Sequence, residues 1–334
     1  MNIARSSFVA GSAAAVAALP LAAAAQTTPT LRLIVFAGTD LLPIWIADAK
    51  GLFAKEGIAV TLTQTPGSVY QFQHLSAGDF DVALTAIDNI IAYDEGQGQV
   101  PLPNPADFVA FMGGDNGFLY LYARPEITSY ADLKGKTLAV DALTTGYAFV
   151  LKRMLEKNGL RDGDYKLEAV GGTPARYQKL TTSPDCAATL LNTPFDLQAL
   201  AFGCKSLGDA MSVVGRYQAL CPVASKAWLA KNGDLAVRYI RANLAALDWM
   251  YDPANRAEAI ALLGSKLQMA ANVAADLFAL LVDPKLGMAR KGQMDVPGIR
   301  TVLGLRSAYG LPPKQLTDPL KYYDDRYYRQ ATAR

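Results

Sequence analysis

The sequence predicts an α/β protein built from two Rossmann-like lobes, which are joined by a two-strand hinge and separated by a ligand cleft. Three observations predict this fold. The length of 334 residues suggests about two domains. Strand-like and helix-like segments alternate from residue 31 to residue 191, a pattern typical of parallel strands with helices packed across them. The alternation also occurs twice, at 31–85 and again at 137–191.

The two copies keep the spacing of their landmarks. Each reads strand, helix, strand, glycine turn, helix and strand. Eight residues separate Gly67 from Leu75 in the first copy, and eight separate Gly172 from Leu180 in the second. Chance likeness between two common βαβαβ units is the alternative. The shared glycine positions and order favour a structural pseudo-repeat.

The strand-to-helix turns of both lobes are the predicted walls of the cleft. In open α/β sheets, ligands bind beyond the carboxyl ends of the strands. The corresponding turns are 37–43, 65–70 and 85–89 in the first lobe, and 141–147, 171–177 and 191–195 in the second. Residues on these turns are therefore the candidates for ligand contacts.

The chain is predicted to cross between the lobes twice. The polar, glycine-rich segment 113–117 makes the first crossing, and a segment near 213–224 makes the return. We therefore expect lobe 1 to comprise 26–116 and 220–334, with C-terminal helices that pack mainly on this lobe. Lobe 2 comprises 117–219. A hinge with two crossings permits the lobes to close on a ligand.

The first 25 residues read as a cleavable secretory signal peptide. Arg5 precedes an uncharged stretch of small and apolar residues from Phe8 to Leu21, and Ala23–Ala25 offers an Ala-x-Ala cleavage site. A transmembrane anchor is the alternative, but the apolar stretch is too short for one and contains Pro20. The expected location of the mature protein is therefore the periplasm.

Charge and composition exclude several classes of function. The formal net charge is only +2 and the basic residues do not cluster, so we expect no nucleic-acid partner. His74 is the only histidine, so a Ser-His-Asp set cannot be completed by another one. The three cysteines lack zinc-site spacing. We expect no catalytic residues, no metal, no cofactor and no enzymatic activity.

Polar and aromatic side chains on or near the cleft turns form the predicted ligand site. Helix starts expose free N–H groups that favour anions, and hydroxyls before proline at 173–174 and 193–194 suggest N-caps, as does Ser68. Every helix needs a cap, so each one alone is weak evidence. The candidates are Thr39, Asp40, Trp45, Ser68, Tyr70, Asp88, Asn89, Asp115, Thr144, Thr145, Gly146, Tyr147, Arg176, Asn192, Thr193 and Arg216.

These candidates have different expected roles. Arg176 lies in the first turn of a helix, where a cation opposes the helix dipole, and this misfit suggests an anionic ligand group. A solvated surface arginine is the alternative. Thr144, Thr145 and Gly146 are expected to help hold that anion, while three aromatic residues flank the ligand body: Trp45, Tyr70 and Tyr147. Trp45 could equally belong to the core of its lobe. The aspartates suggest that an amine or ring N–H on the ligand satisfies one of them.

Three segments carry a resemblance to a known family. They are Gly51–Ile58 (GLFAKEGI), Leu75–Ala83 (LSAGDFDVA) and Ala131–Thr137 (ADLKGKT). With these segments the chain resembles, over nearly all of 31–310, the periplasmic binding proteins of ABC importers for nitrate, sulfonate, taurine and pyrimidine precursors. The resemblance implies a type II binding-protein fold that closes on its ligand and docks on a permease.

The function expected from this resemblance is delivery of a small organic molecule, with a carboxylate or sulfonate group, to an ABC permease. We expect the protein to act as a monomer. The same family contains enzymes of thiamine and menaquinone precursor synthesis, which are the alternative. A third interpretation is a ligand-sensing subunit that presents its closed form to a membrane receptor.

Family architecture also suggests how the cysteines are arranged. Cys186 opens a strand, and Cys204 follows a helix that returns antiparallel to that strand, so both lie near the same end of the second lobe. We therefore predict a Cys186–Cys204 disulfide, with Cys221 left as a free thiol.

Overall fold

A computed structural model describes residues 28–117, 119–284 and 287–333. The predicted signal peptide lies outside these residues. The strands are β1 (Thr30–Val35), β2 (Ala59–Gln64), β3 (Val82–Ala86), β4 (Phe108–Ala110), β5 (Tyr120–Ala123), β6 (Thr137–Val140), β7 (Lys166–Ala169), β8 (Cys186–Leu191), β9 (Lys205–Asp209) and β10 (Leu220–Ser225).

The helices alternate with these strands up to β10 and then follow one another to the end of the chain. They are α1 (Leu42–Ala49), α2 (Leu52–Lys55), α3 (Ser68–Ala77), α4 (Ile87–Asp94), α5 (Gly146–Lys157), α6 (Thr173–Thr182), α7 (Phe195–Phe202), α8 (Ala210–Val214), α9 (Lys226–Tyr251), α10 (Arg256–Leu267), α11 (Ala271–Leu281), α12 (Val296–Tyr309) and α13 (Arg326–Thr332). None of the helices in the described ranges combines the length and apolarity needed to cross a membrane.

Each lobe is built on one of the two sheets found in the described part of the chain. The first sheet has the order β2-β1-β3-β10-β4, and the second has the order β7-β6-β8-β5-β9. In both, the first three strands are parallel and the fourth is antiparallel to its neighbours. This fourth strand, β5 in one sheet and β10 in the other, is the first strand after the chain has crossed from the other lobe. The two-lobed α/β fold predicted from the repeat is therefore confirmed.

Burial explains why the central strands read as continuous apolar runs. All six residues of β8 are buried, and so are four of the five in β3. Helices pack across a parallel sheet on both faces, so such strands lack the alternation of a half-exposed sheet. The strand β2 lies at an edge and is mostly exposed, and its sequence is correspondingly richer in threonine. The sheet order thus places the carboxyl ends of the buried strands at the cleft.

The two crossings between the lobes are hydrogen-bonded to each other at Asp115. Its carboxylate oxygen Oδ1 accepts N–H bonds from Gly117 at 2.8 Å and from Leu220 at 3.3 Å. Its backbone N–H donates to the Leu220 carbonyl, and its carbonyl accepts from Ala219. One aspartate therefore ties the outgoing segment to the returning segment at the base of the cleft.

The C-terminal helices were expected to pack mainly on the first lobe, and that division of the chain stays a prediction. Helix α9 packs on α1 and α2 of the first lobe. Helix α12 contacts α4 of the first lobe and also α5 of the second. The reason is its buried apolar face, including Val302 and Leu303, which joins a core cluster containing Phe149 of α5. The lobes are thereby connected by a packed helix as well as by the two crossing segments.

The predicted Cys186–Cys204 disulfide is wrong: the structure has Cys186, Cys204 and Cys221 as free, buried thiols. The strand β5 lies between β8, which Cys186 opens, and β9, which Cys204 precedes. Strands lie about 4.8 Å apart, so two spacings separate the chains of the two cysteines by about 10 Å. A disulfide requires Cα atoms within roughly 7 Å.

Candidate ligand-binding site

A cavity lies between the lobes, at the carboxyl ends of the strands. Its walls come from the turns of both lobes and from the hinge: Phe36, Thr39, Asp40, Ala86, Asp88, Asn89, Asp115, Gly117, Leu119, Asp141, Thr145, Gly146, Tyr147, Thr173, Arg176, Asn192, Thr193 and Leu220.

Eleven of the sixteen predicted site residues line this cavity, although their contact with a ligand stays a prediction. They are Thr39, Asp40, Asp88, Asn89, Asp115, Thr145, Gly146, Tyr147, Arg176, Asn192 and Thr193. All come from strand-to-helix turns or from the first crossing. These eleven residues were therefore found by the rule that ligands bind at the carboxyl ends of parallel strands.

The prediction left out several lining residues. Asp141 follows β6 directly and lies on a predicted cleft turn, so the same rule could have selected it. Thr173 was treated as a helix cap. Gly117, Leu119 and Leu220 lie at the two crossings between the lobes. Glycine and leucine occur in hinges and in cavity walls alike, so their sequence did not identify them as lining residues.

Three candidates lie away from the cavity because their side chains have other partners. Trp45 packs against the apolar core of the first lobe, as its alternative interpretation held. The Tyr70 side chain is 39% exposed, and its ring lies 3.9 Å from the His74 ring between centroids. Arg216 is exposed and forms an ion pair with Asp295 at 2.7 Å.

Ser68 and Thr144 also lie outside the cavity lining. The backbone N–H of Ser68 is bonded to both carboxylate oxygens of Asp141, at 3.1 and 3.2 Å. The carbonyl of Thr144 accepts a hydrogen bond from Arg306 at 2.6 Å. Both residues therefore hold the lobes together instead of facing the cavity.

The predicted caps at Ser68, Thr173 and Thr193 are wrong, because none of these three helix starts has a side-chain cap hydrogen bond. Gly67, Gly172 and Pro194 occupy the N-cap positions of α3, α6 and α7, and Thr145 at the start of α5 bonds the Ala142 carbonyl. The hydroxyl of Thr173 accepts from Arg176, and that of Thr193 donates to Asp196.

At two helix starts where we expected an anionic ligand group, the backbone N–H groups bind aspartate carboxylates of the protein instead. The N–H of Gly146 donates to the Asp88 carboxylate, and the N–H of Ser68 donates to the Asp141 carboxylate. Each aspartate lies on the opposite lobe from the helix it caps, and the positive end of the helix dipole favours a carboxylate there. Two helix N-termini of the cleft are thus satisfied by the protein itself.

Arg176 is a buried cation that lines the cavity and forms no direct ion pair within the described ranges, although the charge of Asp141 acts on it. Its side chain donates to the carbonyls of Gly171 and Leu190, at 2.8 and 3.1 Å, and to the Thr173 hydroxyl at 3.0 Å. None of the ion pairs within the described ranges includes it. Burial lowers its pKa, but an arginine remains charged in proteins. Its hydrogen bonds to Gly171, Leu190 and Thr173 use three of its five N–H donors, so two remain available for a ligand.

Asp40 and Asp115 face the same cavity near the hinge. Burial and the nearby charge of Asp115 together raise the pKa of Asp40 to about 7. Burial also raises the pKa of Asp115 to about 6, against the two N–H bonds that lower it. A Cβ at Gly38 would lie 2.0 Å from Oδ1 of Asp40, so the glycine makes room for this carboxyl group.

Asp88 is neutralised by an arginine that the sequence analysis did not select. Arg306 of α12 is fully buried and its Nε lies 2.6 Å from Asp88 Oδ1. It also bonds Gln97 and stacks over the Phe149 ring, with 5.2 Å between its Cζ and the ring centroid. Arg306 lies in the middle of an apolar helix and far along the chain from Asp88. The residues around it in the sequence therefore do not indicate that it belongs to the site.

The two lobes contact each other directly across the cleft. The N–H of Gly172 donates to the carbonyl of Pro66 at 2.7 Å, and the N–H of Thr39 donates to the carbonyl of Thr193 at 3.4 Å. Together with the two aspartate caps, these bonds hold the lobes in a closed arrangement around the cavity.

The chemistry of the cavity suits binding. None of the lining residues the structure describes is a histidine or a cysteine. His74 lies on α3 and is bonded to Asp79. Within the described ranges, no group of three or more His, Cys, Asp or Glu side chains is placed to hold a metal ion. Tyr147 is kept neutral, because burial and three neighbouring aspartates raise its pKa well above the usual value.

Solved structures share this fold. The periplasmic nitrate-binding protein NrtA from Synechocystis PCC 6803 is similar over 92% of this chain and 88% of its own, with a TM-score of 0.76 and 15% identity. The alkanesulfonate-binding protein SsuA from Xanthomonas axonopodis pv. citri, bound to MOPS, is similar over 90% and 99%, with a TM-score of 0.70 and 17% identity. The desulfurization enzyme DSZB shares the fold over 90% and 98%, with a TM-score of 0.58 and 13% identity.

Sequence comparison gives a relative and a family. The Bacillus subtilis (strain 168) protein named "Putative binding protein YtlA" is 28% identical over 224 residues. The match covers 62% of this chain and 62% of that relative's length. The family described as NMT1/THI5 like matches residues 38–257, which is more than half of the chain. The resemblance predicted from the three sequence segments is therefore confirmed, and the chain belongs to the NMT1/THI5-like family.

Proposed function

We propose that this protein is a periplasmic solute-binding protein that delivers a small organic molecule with a carboxylate or sulfonate group to an ABC importer. The observation that carries the proposal is Arg176, a buried guanidinium that lines an interlobe cavity and forms no direct ion pair within the described ranges. An uncompensated buried charge is costly. A ligand anion would supply the missing partner and form charge-assisted hydrogen bonds with the planar guanidinium.

The position of Arg176 links binding to closure. Its helix α6 belongs to the second lobe, whereas the turn carrying Thr39 and Asp40 belongs to the first. A ligand that contacts both walls stabilises the closed lobes relative to the open ones, because only the closed form offers both sets of contacts. A permease that recognises the closed form would then receive only loaded protein.

The names of relatives support a binding role. NrtA is named for nitrate and SsuA for alkanesulfonates, and the Bacillus subtilis relative is named as a binding protein. We propose that the protein works as a monomer, since one chain supplies both walls of the cavity. Residues 1–25 would direct its export, and the mature chain would form lobe 1 from 26–116 and 220–334 and lobe 2 from 117–219.

An enzyme of the same fold is the second candidate, and the named desulfurization enzyme among the structural neighbours is what favours it. A hydrolytic or transfer reaction needs a nucleophile or a general base within reach of the substrate. The lining residues that the structure describes offer hydroxyls, carboxyls and an arginine. Since the carboxyls of Asp88 and Asp141 already cap helices, this set suits recognition better than turnover.

The test is a thermal-shift screen of the protein after unfolding and refolding, which removes any ligand carried through purification. The panel contains nitrate, alkyl and aromatic sulfonates, aliphatic and aromatic carboxylates, and pyrimidines. A ligand at one hundred times its Kd stabilises the folded state by about 2.7 kcal/mol, which shifts the melting temperature measurably. We expect hits confined to sulfonates or carboxylates. A folded sample without hits, or a hit that is chemically converted on incubation, contradicts the proposal.

A further inference from the structure

The turns that follow β2 and β7 touch each other across the cleft. The N–H of Gly172 donates to the carbonyl of Pro66 at 2.7 Å, and a Cβ at Gly172 would lie 3.0 Å from that carbonyl oxygen. In the same place, the N–H of Ser68 donates to the Asp141 carboxylate at 3.1 and 3.2 Å. The turns therefore meet backbone against backbone, with little room for a side chain. We call them the latch, which comprises residues 66–68 and 171–172.

The latch lies at the edge of both sheets, as far from the hinge as the sheets allow. β2 and β7 are edge strands, and three strand spacings separate each of them from the strand that follows the crossing, β10 in one sheet and β5 in the other. At about 4.8 Å for each spacing, this distance is roughly 14 Å. When two lobes rotate about a hinge, displacement grows with distance from the hinge, so the two halves of the latch move furthest apart.

Each half of the latch is held in shape within its own lobe. Thr65 is buried, and its hydroxyl donates to the carbonyl of Gly67 at 2.7 Å. On the other lobe, the guanidinium of Arg176 donates to the carbonyl of Gly171 at 2.8 Å. Arg176 also lines the cavity. The side chain that we propose to bind the ligand therefore directly supports one half of the latch.

A second set of contacts between the lobes, around α12, costs more to separate. Arg306 of α12 and Asp88 form a fully buried ion pair. This pair bonds the second lobe at the carbonyl of Thr144 and at the N–H of Gly146, and α12 also packs in one apolar cluster with Phe149 of α5. Separation here would remove partners from buried charges and expose apolar surface. Separation of the latch breaks hydrogen bonds that water can replace.

We propose that the cleft opens at the latch while the contacts around α12 remain intact, so that the ligand enters and leaves between Pro66 and Gly172. Arg176 is a positioning residue for this opening, because it holds the carbonyl of Gly171 next to the N–H that closes the latch. A ligand bound to Arg176 would fix the guanidinium and thereby strengthen the latch. The passage of the ligand rests on the proposed binding function, whereas the opening can be measured without a ligand.

Amide hydrogen exchange of the refolded full-length protein, followed residue by residue by NMR, tests the opening. The amides of Ser68, Gly172 and Gly146 are matched reporters, because each lies at a helix start and donates across the cleft. We expect the protection factors of Ser68 and Gly172 to be at least about 10-fold lower than that of Gly146, since the latch opens without breaking the contacts of the buried ion pair. Equal protection of the three amides would overturn the inference.

Gly172→Pro removes the N–H that closes the latch, and the φ of −59° at this position is one that proline adopts. The protection factor of the Ser68 amide should fall about 3- to 10-fold, as expected for the loss of one hydrogen bond, while that of Gly146 stays unchanged. The matched control is Gly304→Ala, where a Cβ would meet no described atom within 4 Å and neither amide should change. Unchanged protection of Ser68, or an equal fall at Gly146, contradicts the inference.

Arg176→Gln tests the positioning role without altering the backbone of the latch, and it also provides a result if the proline variant does not fold. Loss of the bond to Gly171 should lower the protection factors of Ser68 and Gly172 about 3- to 10-fold and leave that of Gly146 unchanged. A substitution that only weakened the fold would lower all three alike. That result, or unchanged protection at the latch, would overturn the positioning role.

Failure of this inference and failure of the proposed function are distinguishable, because the exchange is measured without a ligand. The expected exchange pattern in a protein that binds nothing in the screen would support opening at the latch and overturn the binding function. Equal protection of the three amides in a protein that does bind a ligand from the screen would overturn the inference and leave the binding function intact.

Discussion

Arg306 and Asp88 form a fully buried ion pair between α12 and α4, with Nε of the arginine 2.6 Å from Oδ1 of the aspartate. Arg306 also donates to the carbonyl of Thr144 at 2.6 Å, and Asp88 accepts the N–H of Gly146. One ion pair therefore joins a helix of the first lobe, the loop before α5 of the second lobe, and a C-terminal helix that contacts both.

Replacing Arg306 alone should destabilise the protein strongly. Arg306→Met leaves Asp88 as an uncompensated buried charge, and breaking a buried pair in this way typically costs 3–5 kcal/mol. Urea denaturation followed by circular dichroism measures the free energy of unfolding. The control is Arg306→Met combined with Asp88→Asn, which removes both charges and should recover a large part of the loss. A single variant that loses less than about 1 kcal/mol would show that the pair does not hold the lobes together.

Removing the charge of Arg176 should weaken ligand binding far more than it weakens the fold. For whichever ligand the screen identifies, Arg176→Gln is expected to lower the affinity roughly 10- to 100-fold, since charged hydrogen bonds contribute about 1.5–3 kcal/mol. Calorimetry gives the Kd, and thermal unfolding without ligand gives the structural effect separately. Arg176→Lys should recover only part of the affinity, because an ammonium cannot reproduce the planar guanidinium fork.

Arg216→Gln provides the comparison for this experiment, since both arginines were predicted from the sequence to contact the ligand. Arg216 has a side chain that is 70% exposed and pairs with Asp295 on the surface. Its replacement should change the Kd by less than about twofold. A loss of affinity in Arg216→Gln that equals the loss in Arg176→Gln would contradict the assignment of Arg176 to the site.

The sequence was sufficient for the fold and for much of the cavity wall because both depend on local patterns. The equal spacing of Gly67 to Leu75 and Gly172 to Leu180 identified the repeat, and strand-end turns such as the one carrying Asn192 identified the wall. The hydrogen-bond partners of these residues could not be predicted from such local patterns. Ser68 was expected to cap its own helix, yet its N–H bonds Asp141 of the other lobe.

The missed features share a physical cause: they depend on how the two lobes meet. Arg306 lies 218 residues from Asp88 along the chain, and nothing in the sequence around either residue indicates the other. The disulfide failed for a related reason. The cysteines were placed correctly at one end of a lobe, but β5, which arrives from the hinge, is inserted between their strands.

Gly146 is expected to tolerate no side chain. A Cβ built on it would lie 2.3 Å from Cγ of Asp88 and 2.3 Å from the hydroxyl of Tyr217. Gly146→Ala should therefore displace Asp88 or open the lobes, with a loss of about 1–3 kcal/mol in the free energy of unfolding. Thermal or urea unfolding measures this loss, and small-angle scattering of the variant tests whether the lobes separate.

Gly304 is the matched control for that substitution. It lies inside α12, and a Cβ there would meet nothing within 4 Å. Gly304→Ala should stabilise the protein by about 0.5–1 kcal/mol through helix propensity. If both glycine variants shift the stability in the same direction, the close contact at Gly146 is not what requires a glycine.

All three thiols should be detected by Ellman's reagent in denaturant without reductant, since Cys186, Cys204 and Cys221 are free. In the native protein they should react slowly. The thiolate is the reactive form, and burial raises the pKa of Cys221 well above its usual value and also raises the pKa of the other two. Detection of a single thiol in denaturant would contradict this and show that two of the three cysteines form a disulfide.

The acidic pair of the cavity should make the unliganded protein less stable as the pH rises. The pKa of Asp40 is raised to about 7 and that of Asp115 to about 6, from an ordinary value of 3.8. The folded state therefore retains protons that the unfolded chain has released. The stabilisation is complete below pH 4 and is lost as the pH rises through 6 and 7. Urea unfolding at pH 5 and pH 8 measures the difference.

Other groups also titrate in this range, so the comparison must be made between variants. Burial raises the pKa of Asp94 to about 6, and it contributes with the same sign. Other ionisable groups around the pair are Asp88, Asp141, Arg176, Arg306, Tyr147 and Cys221. Asp40→Asn with Asp115→Asn removes only the contribution of the pair, so the fall in the free energy of unfolding between pH 5 and pH 8 should be smaller in this variant. Asp185→Asn, an exposed carboxyl group outside the cavity, should leave the fall unchanged. An equal fall in all three proteins would mean that the acidic pair is already ionised at pH 5 and is not shielded in the closed cleft.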